Sequence, residues 1–248
     1  MHLLYPSLPY EPRTIDPLWE PEYSWAAAAG FAVGLFDIET IRVWTQAPGA
    51  PALYRGWMLA ESEYKLLEQV SPLLVSRGAY LSSHLASGWY EAIQEFTFAS
   101  TFQPAGSPPD FSAGQRYFVK GLVKSFGPDS EVASAMECQE LLRKHGVPSD
   151  ELLFVRQYIK LQPASERRYF VVAGTAYGAE GTSLPNQLQP ALFQLRSRLF
   201  CSLDVAFTAA GYPIIVEVGD GQVSDLKEWD VAGFGRTVLS ALADATQA

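Results

Sequence analysis

Between Leu199 and Leu226 the chain reads LFCSLDVAFTAAGYPIIVEVGDGQVSDL, two apolar runs of strand-forming residues on either side of Ala210-Gly211. Such a pair commits the chain to an antiparallel hairpin. With Ala210-Gly211 as a two-residue turn, Thr208 faces Pro213, Ala206 faces Ile215 and Asp204 faces Glu217. Two carboxylates placed directly opposite each other repel unless something positive lies between them, and Asp220, just after Gly219, can close the same cluster. An oxygen-rich group of this kind suits Mg²⁺ better than zinc. The spacing is equally consistent with Asp204 and Glu217 as solvated residues on the open face of an antiparallel sheet.

Upstream, His2 to Tyr5 reads as a strand, Pro21 to Ala29 as a helix stopped by Gly30, and Ala32 to Ile38 as a second strand, an order that predicts a small parallel β-α-β unit. Ile41 to Trp44 and Leu53 to Leu59 read as extended and Glu61 to Val70 as helical, whereas Tyr80 to Phe96 fits no single period. The segment Phe102 to Gly114, rich in Pro, Gly and Ser, is the clearest boundary in the chain. Beyond it come a strand from Arg116 to Lys124 with a bend at Gly121, an amphipathic helix from Glu131 to His145, and strands at Leu152 to Ile159 and Arg167 to Val172. A loop from Glu180 to Pro190, a helical or extended piece from Leu192 to Arg198, the carboxylate hairpin and a closing helix from Trp229 to Ala243 complete an α+β pattern with an antiparallel sheet. The division is an N-terminal α/β region over residues 1–105 and a second region over residues 115–248.

The 248 residues suffice for one large domain or two packed lobes. A formal charge of -9 leaves no basic stripe to neutralise phosphates and disfavours an anionic membrane surface, so nucleic acid and membrane are excluded as partners. Any anionic ligand must then be held by local cations. Cys138 and Cys201, the only cysteines, read as buried free thiols of a reducing compartment. The N-terminus lacks a basic start and a clean apolar core, and the most apolar run, Trp25 to Phe36, is too short to span a bilayer, so a cytoplasmic protein is expected.

The cations gather in the second half. Lys120 and Lys124 share a face if their strand is continuous, as do Arg156, Tyr158 and Lys160 on the next strand, and Glu166 and Arg168 on the one after. Opposed to an acidic hairpin, these rows have the geometry for a polyphosphate with its divalent ion; as surface residues they would merely solvate a sheet, with Glu166 and Arg168 a weak ion pair. No GxxxxGK[ST] loop, GxSxG elbow or HExxH helix is present, and His2, His84 and His145 are too dispersed for a triad or a zinc set. Arg55, flanked by aromatics in YRGWM, reads either as a substrate contact or as a packed arginine, and His84 either as a substrate contact or as structural.

The succession YRGWML, FVKGLVKS, FVRQYI, ERRYFVVAG and IIVEVGDGQVSDL resembles the ATP-grasp superfamily, in particular its small bacterial and phage clade marked by conserved arginines and a lysine. The resemblance runs from Tyr54 to Leu226. It implies two α+β lobes clasping ATP, with the N-terminal α/β region as a pre-ATP-grasp-like unit. By position, Lys120 and Lys124 match nucleotide and phosphate lysines. The segment Arg156 to Ile159 matches the stretch passing the adenine, read by backbone groups of Tyr158 and Ile159. Glu166 and Arg168 match the ExR strand, with Arg168 toward the phosphates, and Asp204, Glu217 and Asp220 match Mg²⁺ carboxylates. One departure stands out: the family places asparagine two residues after the metal glutamate, and here that residue is Gly219.

The implied activity is ATP-dependent joining of a carboxylate to an amine or thiol through an acyl phosphate, with Arg168 and Lys124 as catalytic groups, ATP and Mg²⁺ as cofactors, and a small-molecule or peptide carboxylate and an amine acceptor as partners. Arg55 and His84 would then shape the acceptor pocket. The alternative is an ATP- and Mg²⁺-binding regulatory or assembly module without ligase chemistry.

Overall fold

The computed structural model describes residues 1–107, 109–111 and 114–247. Pro108, Ser112 and Ala113 of the expected boundary segment, and the final Ala248, lie outside the described residues. The fold is α+β, built on three sheets. In the first, β1 (His2–Leu8) pairs antiparallel with β2 (Glu11–Ile15) and in parallel with β3 (Ala32–Asp37), which β1 reaches through α1 (Glu20–Ala28). This is the expected β-α-β unit. Pro21 in the first turn of α1, with Glu20 and Glu22 toward its dipole, fixes the start, and Gly30 at φ +87° turns the chain out of it. β4 (Arg42–Thr45) and β5 (Ala52–Tyr54) complete the sheet. The extended stretch expected from Leu53 to Leu59 ends early because Arg55 turns into the interior.

α2 (Glu61–Val70) starts where the Glu63 carboxylate accepts from the Ala60 N–H at 2.6 Å. The aperiodic stretch from Tyr80 to Phe96 resolves into two short helices, α3 (Arg77–His84) and α4 (Ala86–Ile93), broken at Leu85. They pack so closely that a Cβ at Gly88 would lie 2.6 Å from the Ser82 backbone.

The second sheet is β6 (Ser100–Pro104), β9 (Leu152–Gln157), β7 (Tyr117–Gly121) and β8 (Glu131–Val132), in that spatial order, covered by α5 (Ala135–Lys144). The first residues of the expected Pro-rich boundary thus form a strand, and Glu131 begins not a helix but β8; the helix waits for Ser134, whose hydroxyl accepts from the Glu137 N–H. β7 stops at Gly121, where the Gly121 N–H donates to the Lys124 carbonyl, so Lys124 lies in a turn rather than on a strand continuous with Lys120.

The third sheet runs β11 (Thr175–Gly178), β10 (Arg167–Val172), β12 (Phe200–Phe207), β13 (Pro213–Asp220), all antiparallel. α6 (Gln189–Leu195), α4 and the buried Leu203, Val205, Ile215 and Val218 form one core behind it, in which Cys201 is a free thiol. The other face packs Phe170, Val172 and Phe200 against Phe234 of α7 (Val231–Phe234) and against the N-terminal unit. A π-turn from Gly235 to Leu239 leads into α8 (Ser240–Ala245). No helix among the described residues is long and apolar enough to cross a membrane.

Arg55 is fully buried and sits at this junction. Its guanidinium is bidentate to Glu22, with Nε 2.9 Å from Oε1 and Nη2 2.7 Å from Oε2, while the Tyr5 hydroxyl donates to the same carboxylate at 3.1 Å. Its Nη1 donates to the carbonyls of Gly221, Gln222 and Ser224, and the Trp19 and Phe234 rings lie 5.2 and 4.9 Å from its Cζ. Arg55 therefore reaches no cleft. Its place as a substrate contact is corrected to that of a bolt between the N-terminal sheet and the loop after β13. Removing one member of such a pair leaves the other charged and unpartnered in the interior, at a cost of about 3–5 kcal/mol. Glu22→Ala is expected to lose stability on that scale in urea unfolding, whereas Glu140→Ala, which breaks only the exposed pair with Arg143, is expected to leave the unfolding midpoint essentially unchanged.

Candidate functional site

The β12–β13 hairpin places the site, and a bulge decides what it presents. From Phe207↔Pro213 to Val205↔Ile215 the partners are in one register; from Asp204↔Glu217 onward they are in the next, with Val216 the extra residue. Near the turn the expected pairing is therefore wrong by one, since Ala206 faces Ile214, but the bulge restores the Asp204–Glu217 pair. A bulge breaks the alternation of faces. Ile215 and Val218 both enter the core behind the sheet, and Val216 and Glu217 both line the cleft.

Two cavities meet at this wall. One, of about 480 Å³, is lined by Phe98, Phe118, Tyr158, Ile159, Ala206 and Val216 and is largely apolar. The other, of about 510 Å³, carries His84, Lys120, Lys124, Arg168, Asp204 and Glu217. Phe118, Arg156 and Val216 border both.

Across the cleft, Lys120 of β7 donates to Glu217 Oε1 at 2.7 Å, joining the second sheet to the third; the lysine is buried and the Glu217 side chain is 36% exposed. Both oxygens of Asp204 are engaged by cations. Arg168 grips it bidentately at 2.8 and 2.8 Å, and Lys227 donates to Oδ2 at 2.8 Å. Burial alone would raise the Asp204 pKa, but these cations outweigh it and hold the carboxyl below its ordinary range. Lys227 also pairs with Glu166, and Arg168 with Asp225. Lys227 holds its position from a backbone at φ +46°, a region costly for a side-chain-bearing residue.

Arg156 differs from these. It is buried and pairs with no carboxylate among the described residues; its Nη2 donates to Thr97 Oγ1 at 3.2 Å, its Nε has no partner, and its Cζ stands 4.2 Å from the Phe98 ring centre. Burial, only partly offset by Glu217, pulls its pKa down to about 10. An arginine left so on a cavity wall calls for an anion.

Asp220 pairs with Cys201 and by alternation points to the other side of the sheet from Glu217, yet it lines the same polar cavity at this sheet edge, and its Oδ2 has no partner among the described residues. It is buried, accepts from the Gln222 N–H and side-chain amide at 3.0 Å each, and burial carries its pKa to about 7. The three carboxylates named from the sequence are thus not one cluster, and no three histidine, cysteine or acidic side chains converge as a metal-sized group among the described residues. Mg²⁺ needs only one or two carboxylates beside substrate phosphates and water. Glu217, with Oε2 outside the bond to Lys120, fits that need. Asp204, with both oxygens already bonded to cations, fits it less well.

The remaining sequence-derived residues fall as follows. Tyr158 borders the apolar cavity, but its N–H is used by the Arg116 carbonyl at 3.0 Å, so Ile159 is the residue of the pair whose N–H enters no backbone bond among the described residues. Lys124 is exposed on the polar rim and forms no ion pair among the described residues. His84 stacks on Tyr80 at 4.9 Å, and Tyr80 on Tyr64 at 4.3 Å. Sequence reasoning missed Lys227, Asp225, Thr97 and the Ser202–Ser224 pair. The dense charges of SDLKEWD, directly after the second hairpin strand, were the available signal for the first two.

Burial, then Lys124 and Lys120, hold His84 down at a pKa of about 4, so it is neutral in the fold and more basic in the unfolded chain. Between about pH 6.5 and 4 the unfolded state binds the extra proton, and stability falls as pH falls. Chemical unfolding at pH 7.5 and 5 is expected to show His84→Gln losing less stability across that interval than the parent protein.

A family model for an ATP-grasp domain, family 3 of the clade marked by conserved arginines and a lysine, matches residues 80–242. Among solved structures, the D-cycloserine synthetase DcsG aligns with a TM-score of 0.62 at 10% identity, covering 99% of this chain and 98% of its own. A RimK-domain ATP-grasp protein from Sphaerobacter thermophilus aligns at 0.61 and 15% identity, covering 99% and 100%. The ATP-grasp ligase PsnB, complexed with precursor peptide PsnA2 and AMPPNP, aligns at 0.62 and 10%, covering 99% and 97%. No curated protein matches the sequence.

Proposed function

Because the chain belongs to the ATP-grasp family, in the clade marked by conserved arginines and a lysine, we propose that the cleft between its second and third sheets binds ATP and that the protein is a ligase joining a carboxylate to an amine or thiol through an acyl phosphate. The observation that carries this reading is Arg156, a buried arginine without a carboxylate partner among the described residues, where an apolar cavity meets a polar, charged one. A nucleotide has that same polarity, a flat base at one end and a polyphosphate at the other.

In this reading Phe98, Phe118, Ala206 and Val216 enclose the adenine, and the Ile159 N–H reads its edge. Arg156 receives the phosphates and is relieved of an unpaired charge in the interior. Lys120 exchanges Glu217 for a phosphate oxygen, and Lys124 approaches from the rim. Glu217 would hold Mg²⁺, which supplies Lewis-acid polarisation of the phosphoryl group. Arg168, oriented by its two bonds to Asp204, stabilises charge on the transferred phosphoryl group and then on the acyl phosphate. Lys227 and Glu166 fix that arrangement from the side. His84, neutral and beside the lysines, faces the acceptor side. The carboxylate and amine joined are a small molecule or a peptide, in keeping with PsnB bound to a precursor peptide and with a D-alanyl-alanine synthetase from Vibrio cholerae, which shares the fold at 12% identity.

The pairing of both Asp204 oxygens with cations favours a second reading, an ATP-binding module without turnover. The two separate on incubation with Mg²⁺, ATP and pooled carboxylates and amines. The ligase reading expects acceptor-dependent ADP and phosphate, lost in Glu217→Ala with the fold intact by circular dichroism; tight ATP binding without ADP would replace it by the second. Arg156→Gln is expected to weaken ATP binding at least tenfold by calorimetry, because it removes a buried cation from the phosphates. Unchanged affinity would remove Arg156 from the site.

A further inference from the structure

Gly219 stands on β13 two residues beyond Glu217, and the structure shows what fills the space beside it. Gly219 pairs with Ser202 across the hairpin, on the cleft face that also carries Asp204 and Glu217. A Cβ at residue 219 would lie 2.7 Å from Ser202 Oγ, closer than real side chains approach, and 3.1 Å from Ser224 Oγ. A side chain at residue 219 would therefore have to displace the Ser202 hydroxyl. Both serines are buried and both line the polar cavity, Ser202 at 2% exposure and Ser224 at 8%.

The hydrogen bonds dictate which way these hydroxyls point. Ser224 Oγ lies 2.9 Å from the Asp220 carbonyl oxygen, which can only accept, so the single Ser224 proton is spent there. Ser202 Oγ lies 2.7 Å from Ser224 Oγ, and its own proton must fill that bond. Ser202 Oγ is then left with acceptor lone pairs over Gly219 and no proton to offer. A phosphate oxygen needs a donor and is repelled by such a group. A hard divalent cation, or water bound to one, is attracted. Along the strand Gly219 stands two residues from Glu217, on the same face, roughly 7 Å away.

We propose that Ser202 Oγ, oriented by Ser224, ligates, directly or through a bound water, the divalent cation held at Glu217. The inference rests on the nucleotide-binding reading above and deepens it. It makes Ser202 a ligand, Ser224 its positioning residue and Gly219 the space that admits both.

The test uses the full chain, Mn²⁺ as probe and AMPPNP as nucleotide. Mn²⁺ affinity of the nucleotide complex is read by electron paramagnetic resonance, and nucleotide affinity without metal by calorimetry in EDTA. Ser202→Ala is expected to weaken Mn²⁺ binding about tenfold or more while metal-free nucleotide affinity stays within about twofold of the parent. Gly219→Asn alone is expected to weaken Mn²⁺ binding through the clash with Ser202, and Ser202→Gly combined with Gly219→Asn to restore it by supplying an oxygen from β13. Unchanged Mn²⁺ affinity in Ser202→Ala, or an equal loss of metal-free nucleotide affinity, would overturn the assignment while leaving the nucleotide site standing. A parent protein that binds no AMPPNP with or without Mn²⁺ would overturn the nucleotide reading and this inference with it.

Discussion

The arrangement of the cleft depends on one buried guanidinium. Arg55 takes Glu22 with one edge and the carbonyls of Gly221, Gln222 and Ser224 with Nη1, so a strand of the N-terminal sheet and the chain leaving β13 share a single charged centre. The loop held there is the one that delivers Ser224, Asp225 and Lys227 to the cleft. Three backbone acceptors could in principle be met by water, but water does not reach a residue with no exposed surface. Glu22 neutralises the charge, Tyr5 completes the carboxylate's bonding, and Trp19 and Phe234 close over the faces. The N-terminal unit is thus more than an appendage, because the position of a functional loop in the third sheet is referred back to it.

Within the cleft the ordering principle is pairing of opposite charge, and it is uneven. Asp204 has three donors from two cations, Glu217 has one, and Arg156 has no carboxylate at all among the described residues. Pairs of this kind orient their members more than they stabilise the fold, since taking both charges out of water costs nearly what their attraction returns. The bidentate grip of Asp204 fixes the plane of the Arg168 guanidinium, while the single bond from Lys120 to Glu217 can be exchanged. The same chemistry therefore divides the side chains into fixed and releasable ones.

Much of this is legible in the sequence. Periodicity locates α2 and β10 residue for residue, and the spacing of Asp204 and Glu217 about a turn pairs them correctly. Asp220 borders the same cavity as Asp204 and Glu217, but alternation turns it away from that pair, and Gln222 takes its Oδ1. Arg55 leaves two readings open, and burial decides between them; nothing local to YRGWM reveals that its partners lie on α1 and beyond β13. Lys124 leaves the strand expected for it because a turn at Gly121 ends that strand. The serine pair is invisible for a different reason. Glycine at position 219 reads as the loss of a ligand until the residue across the ladder is known, and that residue is named only by the register.

The extra residue Val216 has a consequence of another kind. Two-residue alternation works like a reading frame, and a bulge is a frameshift within it: each half of β13 obeys the alternation, but in opposite phase. Ile215 and Val218 can both be core residues only because the frame changes between them. Substituting Val216 alters one side chain, but deleting it would rephase whichever half of the strand yielded. Either the apolar wall beside Ala206 would turn into the protein interior or the acidic and glycine positions beyond it would. The length of this hairpin is therefore as strongly constrained as its composition.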